Sequence, residues 1–135
     1  MPNDTNSTEA QPFQAVSLAA SLTVNDLQKS LAWYCDVLGF SIERKHEREG
    51  TLRAVSLLAG NVAILIGQDD GAKGLNREKG TGFSMRITTA QDIDGIASRI
   101  KANGGVLESE PFDTPWGTRA FRVVDPDGFK YLISS

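Results

Sequence analysis

Few side chains in this 135-residue chain are equipped for chemistry, and most have a structural reason for being where they are. His46 is the single histidine. It lies within Arg44-Lys45-His46-Glu47-Arg48-Glu49, a charge run expected at a hairpin tip, where an imidazole is solvated and not ligating. Cys35, the single cysteine, has no base close in sequence to make it a nucleophile, and beside Trp33 and Tyr34 it reads as core packing. Asp125 and Asp127 have the spacing of a carboxylate pair, but Asp125-Pro126-Asp127-Gly128 is what a type I turn asks for. Two arginines are harder to dismiss. Arg86 alternates against Met85 and Ile87, and Arg122 against Phe121 and Val123, so each guanidinium points away from an apolar face. Such a group must find water, a carboxylate of a partner chain, or an anionic ligand.

The elements that hold these residues follow from the turn. Thr118 to Val124 and Phe129 to Ile133 are the arms of a hairpin whose register the turn fixes. Period two then puts Phe121, Val123, Phe129, Tyr131 and Ile133 on one face, and Ala120, Arg122, Lys130 and Leu132 on the other. Upstream, Val16 to Val24 reads as a strand. A helix capped by Asn25 or Asp26 carries Leu27, Leu31, Tyr34, Cys35 and Leu38 on one stripe and ends at Gly39. A hairpin with a Glu49-Gly50 turn spans Ile42 to Leu58, and Val62 to Ile66 is a short buried strand. After an aperiodic stretch the pattern returns. Phe83, Met85 and Ile87 alternate; Thr89 to Asp92 has the look of a capping box; Ile93, Ile96, Ala97 and Ile100 form a helical stripe that stops at Asn103-Gly104-Gly105; Val106 to Glu110 is a strand before the hairpin. Gly39 and Gly104 lie 65 residues apart, and Gly60 and Gly128 lie 68 apart, so the chain holds two copies of one βαβββ unit. The expected fold class is α+β, with module one at 13–67, a linker at 68–80 and module two at 81–135.

Composition narrows the functions. A net charge of −3 gives no basic excess of the kind that follows phosphate backbones, so nucleic acid is not an expected partner. One cysteine excludes an intrachain disulfide and a multi-cysteine zinc cluster. No run approaches the roughly 18 apolar residues of a membrane span, so no membrane association is expected. Residues 1–12 are polar, lack an apolar core, and are expected to be a disordered tail and not a signal, which makes the cytoplasm the default location.

The repeated unit, VNDLQKSLAWYCDVLGF at 24–40 and DPDGFK at 125–130 together resemble the vicinal oxygen chelate superfamily: glyoxalase I, extradiol dioxygenases, fosfomycin-resistance enzymes and bleomycin-resistance proteins. The resemblance implies curved sheets with helices on their convex sides, concave faces that form a ligand pocket, and a homodimer in which modules combine across chains. Metal-dependent members place His or another donor on the first strand of each module and usually Glu on the last. Carried across, those positions fall at Ala19, Leu65, Gly82 (or a neighbour, Thr81 or Phe83) and Leu132, none of which holds a metal strongly. No metal and no other cofactor is therefore expected. Small residues, among them Ser21, Ala63, Ser84 and Ala120, leave space in the implied pocket. Trp116, in a Pro-Trp-Gly run similar to that of bleomycin-resistance proteins, is a candidate stacking platform or a contact with the partner chain. The expectation is a metal-free binding protein that sequesters or carries a small organic molecule in a dimeric pocket, with Arg86, Arg122, Trp116, Leu65, Ser84 and Leu132 as ligand-binding residues. The alternatives are a glyoxalase- or dioxygenase-like enzyme, a lyase or isomerase, with a displaced or absent metal, and a structural or regulatory dimer with a vestigial cavity.

Overall fold

A computed structural model describes residues 11–135. The expected tail lies largely in residues 1–10, outside the described residues. Strand β1 (Ala20–Val24) leads into helix α1 (Leu27–Ala32), and the helical path continues as a π-helical segment, Trp33–Leu38. Strands β2 (Ser41–Arg48), β3 (Thr51–Ala59) and β4 (Val62–Gln68) close the first module. The second repeats the order: β5 (Met85–Thr88), α2 (Ile93–Ala102), β6 (Leu107–Asp113), β7 (Arg119–Val124) and β8 (Lys130–Ser134). Each module is a four-stranded mixed sheet, ordered β1-β4-β3-β2 and β5-β8-β7-β6, with its first strand parallel to its last and the other pairs antiparallel. The α+β, two-module architecture is the one the repeat calls for.

Local chemistry explains the elements. Asp26 caps α1, its Oδ1 accepting the Lys29 N–H at 3.1 Å. Asp92 caps α2 by accepting the Gly95 N–H at 2.9 Å. This corrects the capping box: Thr89 stands outside the helix, accepting the Gln91 N–H in a local turn. Three boundaries also move. β1 begins at Ala20, and Val16 and Leu18 are fully exposed. The π-helical segment replaces the last turns of a regular helix, and of the expected stripe there Tyr34 is buried while Cys35 and Leu38 are half-buried against the core. β6 begins at Leu107 and runs through Pro111 to Asp113, which an edge strand tolerates because no inner ladder bond is lost.

The inward faces of both sheets and the helices share one core, from Leu22, Val24, Val55, Leu57 and Ile66 to Ile100, Phe121, Val123 and Tyr131. Phe121 and Val123 stand opposite Ile133 and Tyr131, as the turn-fixed register requires. Close fits join the modules and the stretch between them. Gly105 packs where a Cβ would lie 2.5 Å from Val37 of module one and 2.6 Å from Ile100. The connecting stretch is pinned to module one by Lys79, whose Nζ lies 2.9 Å from Asp69 and donates to Asn25 Oδ1 at 2.7 Å. The same stretch is fitted to module two by Gly80, whose added Cβ would fall 2.4 Å from the Gly128 carbonyl oxygen.

Candidate functional site

The side of each sheet away from the helices, the open face, carries the side chains free to meet a ligand. On module two, register places Arg86, Leu132 and Arg122 in one row across β5, β8 and β7. Ser109 of β6 extends the row, its Oγ accepting the Arg122 N–H at 3.2 Å. Strands sit about 4.8 Å apart, so the two arginines flank Leu132 with backbones about 10 Å apart. Arg122 lies over the Phe112 ring, its Cζ 5.0 Å from the centroid. The ion pairs among the described residues join Asp69 to Arg77 and Lys79, Lys101 to Glu110, and Arg119 to Asp94 and Asp113. Neither Arg86 nor Arg122 is among them. Lys130 projects from the same face two residues before Leu132, and no Asp or Glu falls on this face of β5, β7 or β8. On these three strands the charged side chains of the open face are all cations, which makes the local potential positive in a chain of net charge −3.

The corresponding row on module one is Ser21, Leu65, Ser56 and Arg44. His46 belongs here and not at a hairpin tip. It sits within β2, half-buried, with Nε2 3.0 Å from Ser56 Oγ. The turn is Glu49-Gly50 alone, both at positive φ, so the charge run is strand and its alternate members face the sheet.

The four positions of the metal-dependent pattern can now be read by symmetry. Ala19 precedes Ser21, the neighbour of Leu65, by two residues. The residue that stands in the same relation to Leu132 is Ser84, two before Arg86. Sheet register therefore assigns this place to Ser84 and not to Gly82. A divalent ion needs several nitrogen or carboxylate donors at once. Ala19, Leu65 and Leu132 have no donor atom in their side chains, and Ser84 has one hydroxyl. Among the described residues no three His, Cys, Asp or Glu converge. These residues do not fit a metal.

Arg86, Leu132, Arg122 and Ser84 thus share one surface, and Leu65 holds the matching place on the other sheet. Trp116 stands apart, exposed on the β6–β7 turn that Thr114 closes through bonds to Thr118.

A second polar group, between the modules, has no local signal in sequence. Tyr34 of module one donates to Asp125 Oδ2 at 2.8 Å and lies 2.7 Å from the Tyr131 hydroxyl. Since its one proton goes to the carboxylate, Tyr34 accepts from Tyr131. Asp125 Oδ1 accepts the N–H groups of Asp127 at 2.9 Å and Phe129 at 2.8 Å. Burial pushes the Asp125 carboxyl above the usual carboxylate range, although these hydrogen bonds pull it down. Burial likewise pushes both tyrosine hydroxyls up. Asp127 holds the start of α1, accepting the Asn25 N–H just before the helix at 3.0 Å and the Ser30 hydroxyl within it at 3.4 Å. The two aspartates are thus a turn and a latch, not a catalytic pair.

Comparison with known proteins agrees with this geometry. The model of the Glyoxalase/Bleomycin resistance protein/Dioxygenase superfamily matches residues 16–132, and the chain belongs to that superfamily. It is 33% identical over 119 residues to a probable lactoylglutathione lyase of Synechocystis sp., covering 84% of this chain and 89% of that one. A probable lactoylglutathione lyase of Vibrio cholerae is 30% identical over 118 residues, covering 83% and 84%. Among solved structures, a superfamily member from Sphaerobacter thermophilus is 26% identical with a TM-score of 0.67, covering 90% of this chain and 97% of its own. TioX from Micromonospora sp. ML1, at 22% identity and a TM-score of 0.71 over 89% and 98%, shares the fold. No helix among the described residues is long and apolar enough to cross a membrane.

Proposed function

We propose that this chain is a metal-free binding protein that holds a small organic anion against its open faces, and that two copies pair so that those faces meet. The observation that carries the reading is the row Arg86, Leu132, Arg122: two cations without carboxylate partners, around a position where a ligating acid would have to stand. Arg122 is held over Phe112, which leaves its guanidinium edge free to donate to a carboxylate. Trp116 supplies an aromatic surface at the rim of the same module. Occupancy, not turnover, is the mechanism, and the cytoplasm is the proposed location.

Benzoate and phthalate are suitable probes, followed by thermal shift and tryptophan fluorescence. Arg86→Gln and Arg122→Gln are each expected to weaken binding about tenfold, the loss of one charge-assisted contact worth about 1.4 kcal/mol, while Ser98→Ala, exposed on α2, leaves it unchanged. Arginine variants that lower stability but keep affinity would make these groups a dimer contact instead.

The names of the two relatives at 30% identity or more favour a second reading, a glyoxalase-type enzyme. The donor set argues against the metal-dependent form. Elemental analysis of protein purified without chelator, with lactoylglutathione formation assayed with and without added nickel, iron or zinc, separates the two. Stoichiometric metal with turnover ends the binding-only reading.

A further inference from the structure

On the helix side, away from both open faces, a half-open cleft of about 550 Å³ lies between the modules, within the range of small-ligand sites. Its floor is apolar: Leu38, Phe40 and Val62 from module one, Ile87, Ile96 and Ile133 from module two. Its rim is polar, with Asn61, Thr89, Gln91 and Arg99. Arg99 follows Ile96 by three residues, so both stand on the same face of α2. The last turn of α2 carries two cations. Lys101 is paired with Glu110 at 2.8 Å, whereas among the described residues no carboxylate pairs with Arg99. A trough of apolar side chains with an unpaired guanidinium at its rim, and amide and hydroxyl groups beside it, matches a molecule that is apolar along its length and anionic at one end.

We infer that this cleft is a second ligand site, for a small amphiphilic monoanion such as a medium-chain carboxylate, whose hydrocarbon lies on the floor and whose carboxylate meets Arg99. The site is lined by none of Arg86, Arg122, Leu132, Ser84, Leu65 or Trp116, and it stands or falls independently of the function proposed above. Both modules line it, so a bound molecule bridges them, and its occupancy stabilises the folded chain.

The test uses octanoate, with octan-1-ol as its uncharged counterpart, and thermal unfolding of the full chain. At about ten times its dissociation constant octanoate is expected to raise the melting temperature by about 5 °C. Arg99→Gln should reduce the shift to that given by octan-1-ol. Ala90→Trp, an exposed position on the cleft wall, should abolish it by filling the space. The Arg86→Gln, Arg122→Gln double variant should keep it. The inference is overturned if saturating octanoate gives no shift, if octan-1-ol does as well as octanoate, if Arg99→Gln and Ala90→Trp respond like the parent, or if the response disappears only in the open-face double variant.

Discussion

The two modules make the same frame and present different open faces. Both have a parallel first and last strand, a helix capped by Asp at corresponding places (Asp26 and Asp92), and a leucine at the centre of the open row (Leu65 and Leu132). Around those leucines they diverge: Ser21 and Ser56 on one sheet, Arg86 and Arg122 on the other. Inward residues are constrained by a shared core and outward ones are not. A repeated fold can therefore keep its architecture while one half sets charge beside the central leucine and the other sets small hydroxyls there.

If the inner faces are equivalent and the core is common to both, damage to either half should unfold the whole. Leu57→Ala in module one and Ile133→Ala in module two are each expected to cost about 2–5 kcal/mol in urea denaturation, each in one cooperative transition. Two transitions in either variant would divide the core in two. Next in size is Tyr34→Phe, which strips Asp125 Oδ2 and the Tyr131 hydroxyl of their shared partner and should cost about 1–3 kcal/mol. A neutral result would mean that module one contributes packing but no polar latch.

The smallest effect concerns pH. Folding raises the proton affinity of Asp125, so protonating it favours the native state. The native chain should gain stability relative to Asp125→Asn as pH falls from about 7 into the carboxylate range near 4, and lose that gain as pH rises again through the raised value. The lowered carboxyls, Asp69 (held down by the Gly71 N–H, then Lys79) and Asp94 (by Arg119), act in the opposite direction in both proteins and cancel in the comparison. Parallel melting curves across that window would place the carboxylate in water.

The comparison also shows what sequence can carry. Face assignment around Asp125-Pro126-Asp127-Gly128 was legible because the turn fixes register and period two does the rest, which put Arg122 and Leu132 on one surface; Arg86 joined them by its alternation against Met85 and Ile87. The repeat was legible from spacing. His46 was misplaced because a run of charges looks the same at a tip and on an edge strand, and only the pairing of Arg44 with Ser56 and His46 with Ala54 distinguishes them. The Tyr34, Asp125, Tyr131 network joins residues 91 and 97 apart in sequence, with types that a helix stripe, a turn and a strand already account for. The cleft under Arg99 exists only where the modules meet, so no single stretch announces it.

The contact of Gly80 with the Gly128 carbonyl has a consequence for recombination between relatives. The crossing segment is cut to measure against the bend it passes, with no allowance even for a methyl group. A chimera that swaps one half for a homologous half must therefore import the crossing together with the bend it was tailored to, or the halves will not seat.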